Sequence, residues 1–276
     1  MSPLGAFQGC RDRVRRAESH NEAFAATWNA FIESEPYHAF IRVNNDGSGE
    51  LHAECSYDLP KALSFELGEL LYQLRAALDG CVYAAAVLET GKNPPPNEHQ
   101  LEFPVCYSQE EFRRARWHLK PVLGNQRLMS LVESIQPYNV PAIDAHLMIL
   151  NGNRTIGILH DWARKDRHRQ LHLVGSWRSN MNPVILLPEG CALDYLMVTS
   201  DGLLESGTLV ARFRLSGYVP GMNVQGNPDM AIDVAVREAP EPCADNDTLD
   251  MRVRSMIAWT RMVIDSIENL FSDAKQ

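Results

Sequence analysis

The stretch between Pro60 and Gly91 constrains the fold most, because its apolar residues recur at the spacing of one wide helical face. The face consists of Leu63, Leu67, Leu70, Leu71, Leu74, Leu78, Cys81, Val82 and Ala85. A helix that is apolar along one side buries that side against other elements. Gly91 and the run Pro94-Pro95-Pro96 end the pattern. The sequence therefore predicts a long core helix against which other parts of the chain pack.

The composition is that of a folded protein with a substantial core. Of the 276 residues, 45% are hydrophobic and 22% are charged, which is far from the makeup of a disordered chain. No run approaches the ~18 consecutive apolar residues of a membrane span, and residues 1–16 lack the order of a signal peptide. The six cysteines are scattered without a CxxC pair, which favours buried thiols over a disulfide framework. We therefore expect a cytoplasmic protein without a membrane partner.

The negative charge is concentrated in one part of the chain. The formal net charge is −9. Residues 179–250 hold 11 acidic and 3 basic side chains, so this segment alone carries −8. Acidic surface repels nucleic acid, whose binding depends on neutralising phosphates. The sequence therefore disfavours nucleic acid as a partner. The segment through which nucleic acid would bind, if at all, is the basic helix Arg164–Arg169.

Helical and strand patterns occupy different parts of the chain, which predicts an α+β fold. Helical spacing covers 11–32, 63–85, 108–119, 125–135, 143–173 with a break at 151–153, and a C-terminal amphipathic helix from Asp247 or Thr248 to Leu270. Strand patterns cover 37–43 and 50–57, joined as a hairpin, and then 184–187, 192–199, 208–215 and 230–236. We predict a single α+β domain over 1–276, whose helical first two-thirds packs on an antiparallel sheet formed mainly by 183–237. The alternative is a division into 1–180, mainly helical, and 181–276, the sheet plus the last helix.

The long helix also carries an unusually polar face beside its leucines. Gly68, Tyr72, Arg75, Asp79 and Tyr83 follow one another at steps of three or four residues. Gly68 leaves room for another backbone to approach closely. Arg75 and Asp79 are one turn apart, so they can bind each other or a partner helix. This face is either a partly buried ion pair that sets helix register or a site that contacts a ligand.

A second polar cluster covers residues 160–172. On a helix, one face would present His160, Arg164, His168 and His172, and an adjacent face Trp162, Asp166 and Arg169. The simplest interpretation is a solvated basic face with the tryptophan turned inward. Alternatives are a metal held by His168 and His172 with Asp161 or Asp166, and a histidine–aspartate pair at His160-Asp161. The metal interpretation is weak because HRQLH lacks the glutamate of HExxH, and we expect no metal site.

The spacing of Arg167 and His172 resembles the Arg-x4–6-His motif of HEPN (higher eukaryotes and prokaryotes nucleotide-binding) ribonucleases, which need no metal. The resemblance implies His172 as general acid/base at the 2′-hydroxyl or the leaving oxygen, and Arg167 as stabiliser of the phosphate charge. The same spacing recurs at Arg15 and His20, Arg113 and His118, and Arg154 and His160. With 21 arginines and nine histidines in the chain, about two such pairs arise by chance.

Four ordered segments resemble the landmarks of a family of bacterial and phage proteins for which no activity is known. The segments are Leu63–Asp79 (LSFELGELLYQLRAALD), Phe103-Pro104, Ile135–Tyr138 (IQPY) and Asp166–Arg169 (DRHR). The family's usual strings are G-x-x-x-x-x-LRSALDH, FP, QPY and DKHR. Gly80 therefore stands where the family usually has His, and Arg167 where it has Lys. The resemblance implies candidate positions and no reaction.

The landmarks predict that two helices meet through polar side chains. If the long helix packs on the helix that contains DRHR, Arg75 and Asp79 lie within about 4 Å of Asp166, His168 or Arg169. Such a cluster is either the floor of a binding pocket or a buried structural network. The two interpretations differ in whether the cluster is open to solvent.

From these patterns we expect a protein that binds a ligand or a protein partner without a cofactor and without strong catalytic machinery. The sequence has no glycine-rich phosphate loop, no GxSxG elbow and no paired-metal spacing. The alternative function is that of a HEPN-type, metal-independent ribonuclease or a related phosphate-handling enzyme, acting through Arg167 and His172.

Overall fold

The computed structural model describes residues 3–56, 58–139, 152–177, 185–199, 202–204, 207–226, 232–237 and 248–273. The chain divides into two compact units, each assembled from separate stretches of sequence. The helical unit comprises Met1–Phe24, Phe65–Leu171 and Asp250–Gln276, and the sheet unit comprises Ala25–Ser64 and His172–Leu249. The single domain over 1–276, like its alternative division near residue 180, stays a prediction.

The described residues form α1 (Pro3–Ala6), α2 (Gln8–Glu33), α3 (Lys61–Thr90), α4 (Gln109–Ala115), α5 (Gln126–Ser134), α6 (Gly152–His168) and α7 (Leu249–Asp273). Each predicted helical segment overlaps one of these helices, whereas α1 was not predicted. The described residues also form 3-10 helices at Glu98–Gln100, at Arg116–Val122, which takes the place of the end of the helix predicted over 108–119, and at Pro137–Asn139. The α+β class and the C-terminal helix are confirmed.

Side-chain caps lie at the N-termini of α4 and α5. The Ser108 hydroxyl accepts the Glu111 N–H at 3.2 Å, and the Glu111 carboxylate accepts the Tyr107 N–H at 2.7 Å. The Asn125 side chain likewise accepts the Leu128 N–H at 3.0 Å. Each cap satisfies an amide that the first turn of a helix leaves unpaired. Ser108 followed three residues later by Glu111 is a sequence pattern that predicts a capping box, and the first of these bonds confirms it.

The leucine stripe of α3 is core, as its spacing predicts. Each of its six leucines is at most 1% exposed. Cys81 and Ala85 on the same face are also fully buried. Burial of a leucine side chain contributes roughly 1.5–3 kcal/mol, so this helix supplies a large share of the core.

The strands of the described residues are antiparallel and form three small sheets. They are β1 (Tyr37–Val43), β2 (Ser48–Cys55), β3 (Leu173–Trp177), β4 (Ile185–Leu186), β5 (Ala192–Val198), β6 (Gly202–Leu204), β7 (Thr208–Ser216), β8 (Gln225–Gly226) and β9 (Ile232–Val236). The orders are β1-β2-β7-β5, β6-β3-β9 and β4-β8.

The predicted hairpin between β1 and β2 is confirmed, with Tyr37 opposite Cys55 and Val43 opposite Gly49. Gly47 in its turn has a φ of 78°, a left-handed conformation that other residues rarely adopt. A Cβ at Gly47 would also collide with the carbonyl oxygen of Leu215. The turn therefore needs glycine for both its conformation and its contact with β7.

Most of the described strands, β4 to β9, lie in 183–237 as predicted, and the β1–β2 hairpin adds two strands to the four-stranded sheet. One prediction about this region is wrong. The helix predicted to reach Leu173 ends at His168, and Leu173–Trp177 is a strand paired with β9 and β6. Pairing with distant strands overrides the local helical pattern there. The helical pattern over 143–151 lies outside the described residues.

The core of the sheet unit joins a helix to the inner face of the four-stranded sheet. Phe31 of α2 clusters with Leu51, Ala53, Val210 and Ala211, all at most 8% exposed. Trp28 and Ile32 pack against the same cluster. Within this unit, helical residues therefore pack on an antiparallel sheet, as predicted. None of the helices in the described part of the chain is both long and apolar enough to cross a membrane.

Candidate functional site

Arg75 is a buried cation at the centre of the polar face of α3. Its side chain is only 6% exposed. Its Nη2 lies 2.9 Å from Glu102 Oε1 and 3.0 Å from Asp79 Oδ1, and it donates to the Phe103 carbonyl at 2.6 Å. Its Nη1 is buried without a hydrogen-bond partner in the described structure. The Arg75–Asp79 pair expected from the i, i+4 spacing is therefore present.

Asp79 binds the same loop residue from the other side. Its Oδ1 accepts the Phe103 N–H at 2.9 Å, so Arg75 and Asp79 together hold both backbone polar groups of Phe103. Burial raises the pKa of Asp79, and the Arg75 charge and the Phe103 hydrogen bond act against that rise. The pair therefore clamps the Phe103-Pro104 loop onto α3.

Gln136 of the IQPY segment holds the other end of this loop. Its side chain is fully buried. Its Oε1 accepts the Cys106 N–H at 2.9 Å, and its Nε2 donates to the carbonyls of Pro104 at 3.0 Å and Val132 at 2.8 Å. One buried amide thereby satisfies three backbone groups, as buried polar groups require. Residues 103–106 are fixed from both ends.

The DRHR segment meets α3 at Gly68. The Asp166 carboxylate occupies the space that a side chain at Gly68 would fill, because a Cβ there would collide with it. Burial raises the pKa of Asp166. Gly68 thus admits a close neighbour, but the neighbour is a carboxylate rather than the backbone that the sequence predicts. The four landmark segments consequently belong to one contact network in the helical unit.

The described residues show no hydrogen bond or ion pair for the predicted bridge from Arg75 and Asp79 to Asp166–Arg169, although the Arg167 charge is near enough to lower the pKa of Asp79. Arg75 and Asp79 instead bind each other, Glu102 and Phe103. Asp166 lies at Gly68, seven residues before Arg75, and seven residues of helix span about 10 Å. A short aspartate cannot reach across that distance. His168 and Arg169 are exposed in or just after the last turn of α6, so they do not join the buried cluster.

His172 does not share a helical face with His160, Arg164 and His168, because α6 ends at His168. The His172 side chain is exposed, and its carbonyl accepts the Arg237 N–H at 2.9 Å. The i, i+4 metal pair proposed for His168 and His172 requires a helix that is not there. Across the described residues, no group of three or more His, Cys, Asp or Glu is placed to hold a metal ion.

The Trp162 side chain and the Nδ1 atom of His160 are buried groups of α6. Trp162 is 1% exposed, which confirms that it turns inward, and Arg252 lies over its ring at 5.9 Å. The Nδ1 of His160 is buried and has no hydrogen-bond partner in the described structure. Burial first, and the Arg75 charge next, lower the pKa of His160 to about 4. His160 is therefore neutral at pH 7.

Glu102 belongs to this network but was not among the predicted site residues. The one signal for it in the sequence is its position directly before the Phe103-Pro104 segment. Phe103 is fully buried, whereas the Glu102 and Asp79 side chains are 44% and 35% exposed. Most polar atoms of the network bind one another or backbone groups. These contacts hold the loop on α3, and the network is open to solvent at the Asp79 and Glu102 carboxylates.

A cavity with room for a ligand lies elsewhere, within the sheet unit. It has a volume of about 530 Å³. Its walls come from β1, the end of β2 and the residues after it, β3 and β6. They are lined by Tyr37, Cys55, Ser56, Asp58, Leu59, Leu173, Val174, Gly175 and Leu204. None of these residues was among the predicted site residues, because they come together only when the four-stranded and three-stranded sheets, built from distant parts of the chain, meet.

The Tyr37 hydroxyl is the buried polar group of this cavity. Tyr37 is 7% exposed, and its hydroxyl has no hydrogen-bond partner in the described structure. The oxygen lies directly against Gly175, where a Cβ would collide with it. Burial, and next the Cys55 thiol beside it, raise the pKa of Tyr37. The hydroxyl therefore stays protonated and can donate or accept a hydrogen bond.

Comparison of the chain with protein-family models, with curated proteins and with solved structures found no match. The resemblance to the bacterial and phage family stays a prediction.

Proposed function

We propose that this protein binds a small organic molecule with both apolar and polar groups in the cavity of the sheet unit. The observation that carries the proposal is the Tyr37 hydroxyl, a buried hydrogen-bonding group without a partner in the described structure, which lines a cavity of about 530 Å³. Cavities that hold organic ligands measure roughly 300–1,000 Å³. A buried hydroxyl without a partner costs roughly 1–3 kcal/mol. A ligand that supplies the partner recovers part of that cost.

The lining indicates the chemistry of the ligand. Leu59, Leu173 and Leu204 contribute apolar surface, which suits an aliphatic or aromatic body. The Tyr37 hydroxyl binds one oxygen or N–H group of the ligand. Asp58 is exposed, and its carboxylate suits a polar or cationic end directed towards solvent.

Ligand binding is supported better than the ribonuclease alternative. Arg167 and His172 are both exposed side chains, and the geometry offers no buried phosphate site that involves either of them. A general acid/base needs a defined position relative to the group that it protonates. The cavity in the sheet unit, by contrast, combines volume with an unsatisfied polar group.

A titration with N-phenyl-1-naphthylamine, a neutral fluorophore with one N–H group, tests the proposal. At about −0.3 kcal/mol for each of about 17 non-hydrogen atoms, the expected dissociation constant is about 0.2 mM or tighter. The fluorescence of the dye should rise on binding with saturation. No saturable increase in the native protein would contradict the proposal.

Two variants with the same substitution locate the binding site. Leu173→Trp places a larger side chain in the cavity, whereas Leu193→Trp changes an exposed position on β5 that does not line it. We expect Leu173→Trp to weaken dye binding at least about tenfold, a loss of about 1.4 kcal/mol, and Leu193→Trp to leave it unchanged. Equal affinities of both variants would place the dye elsewhere.

We also propose that the protein acts in the cytoplasm of a bacterial or phage-infected cell. The cysteines in the described part of the chain, Cys10, Cys55, Cys81, Cys106 and Cys191, are thiols, the form that a reducing compartment maintains. Fractionation of expressing cells tests the location: recovery with the periplasmic or membrane fraction would contradict it.

A further inference from the structure

A cysteine lies in the wall of the proposed binding cavity. Cys55 is the last residue of β2, is partly buried and lines the cavity. It is directly opposite Tyr37 in the β1–β2 ladder, and side chains opposite each other in an antiparallel pair lie on the same face of the sheet. The thiol and the tyrosine hydroxyl therefore face the same space.

The neighbouring hydroxyl distinguishes this thiol, because that hydroxyl lies at the cavity and has no hydrogen-bond partner in the described structure. Cys10, Cys81 and Cys106 are at most 4% exposed, and Cys191 contacts the sulfur of Met222 at 3.5 Å. The Tyr37 hydroxyl is buried at the cavity and lacks a partner in the described residues. A buried O–H donor stabilises negative charge that develops on a nearby sulfur or on a bound oxygen.

We propose that Cys55 is a covalent modification site for small electrophiles of the α,β-unsaturated carbonyl class bound in this cavity. This inference rests on the proposed function, since the electrophile has to enter the same cavity as a reversible ligand.

The addition needs no oxidant or further reactant. The Cys55 thiol gives its proton to water, and its sulfur forms a bond to the β-carbon of the ligand. The carbon–carbon π bond breaks, and its electron pair moves through the α-carbon to the carbonyl oxygen as an enolate. The Tyr37 hydroxyl donates a hydrogen bond to that oxygen. The α-carbon then takes a proton from water, so the adduct has the atoms of the thiol plus the ligand.

N-ethylmaleimide, a small neutral acceptor of this class, tests the inference on the full chain. Peptide mapping by mass spectrometry during a time course gives a separate rate for each cysteine. We expect Cys55 to react at least about tenfold faster than Cys191, the other partly buried cysteine in the described structure. Tyr37→Phe should slow the reaction of Cys55 several-fold and leave the rate of Cys191 unchanged.

A second measurement does not depend on a variant that folds. Saturating N-phenyl-1-naphthylamine should protect Cys55 of the native protein from N-ethylmaleimide and should leave Cys191 unprotected. Equal rates at Cys55 and Cys191, or no protection of Cys55 by the dye, would overturn the inference.

Binding of the dye to the native chain separates this inference from the proposed function. If the native chain binds the dye and its Cys55 shows no preferential reaction, ligand binding is supported and the modification site is refuted. If the native chain does not bind the dye, both proposals are refuted.

Discussion

Replacing Asp79 with alanine removes the acceptor that holds the loop onto α3. The substitution leaves the Phe103 N–H without its 2.9 Å hydrogen bond and takes away one of the two carboxylates that contact Arg75. Glu102 stays in place, so Arg75 keeps one acidic partner. The change therefore tests the clamp itself rather than the burial of an unpaired cation.

The expected loss follows from these contacts. A buried amide that loses its partner costs roughly 1–3 kcal/mol, and Phe103 is fully buried. The ion pair with Arg75 adds about 1 kcal/mol or less, because the Asp79 side chain is 35% exposed and solvent screens it. We expect Asp79→Ala to lower the free energy of unfolding by about 2–3 kcal/mol.

Asp79→Asn is the matched variant, since its side-chain oxygen still accepts the Phe103 N–H. Burial raises the pKa of Asp79 in the folded state, so ionisation of this carboxyl destabilises the fold as the pH rises through that pKa. The neutral amide avoids this cost. We expect Asp79→Asn to lose about 1 kcal/mol or less. The free energy of unfolding of the native protein minus that of Asp79→Asn should therefore fall as the pH rises. The fall should occur between the ordinary pKa of aspartate and the raised pKa of Asp79.

Urea unfolding followed by circular dichroism measures these differences, and hydrogen exchange at the Phe103 amide reports on the clamp directly. Glu102→Ala serves as control, because it removes a 44% exposed carboxylate from Arg75 and keeps the Phe103 N–H bond. It should cost less than about 1 kcal/mol. An unchanged midpoint at constant slope for Asp79→Ala, or the same loss for alanine and asparagine, would refute the reasoning.

Three further predictions concern α6 and the residues around it. Gly68→Ala should lower the free energy of unfolding, although alanine has the better helix propensity, because its Cβ collides with Asp166. Adding Asp166→Ala to the same chain should reverse this loss and raise the free energy of unfolding by up to about 1 kcal/mol. Denaturation of both variants measures these changes, and additive effects of the two substitutions would mean that the residues do not touch. With a pKa of about 4 in the fold and an ordinary value of 6.5 when unfolded, His160 takes up its proton more readily in the unfolded chain, so its contribution to stability should be lost as the pH falls from 6.5 towards 4. His160→Gln should flatten that part of the stability curve, and an NMR titration of His160 with an ordinary pKa would contradict it. We expect no cleavage of single-stranded RNA by the native protein in the presence of a chelator; cleavage that disappears in His172→Ala and Arg167→Ala would instead favour the ribonuclease.

Local spacing determined much of the helical part of this protein. The stripe from Leu63 to Ala85 predicts α3, and Ser108 with Glu111 predicts the start of α4, because the signals for both lie within a few residues of each other. The ion pair of Arg75 with Asp79 and the inward side of Trp162 follow from the same helical periodicity. The turn residues 44–49 predict the β1–β2 hairpin for an equally local reason.

Tertiary structure alone decided which distant groups meet. That Arg75 and Asp79 bind Phe103 rather than the DRHR segment depends on the path of the loop, which no periodicity encodes. Residues Leu173–Trp177 became a strand because β9 and β6 were there to pair with them. The cavity around Tyr37 needs residues from β1 and β2 of the four-stranded sheet and from β3 and β6 of the three-stranded sheet, which are more than a hundred residues apart in the chain. The meeting of two separate sheets is set by the whole fold, so a binding site between them cannot be identified from local sequence patterns.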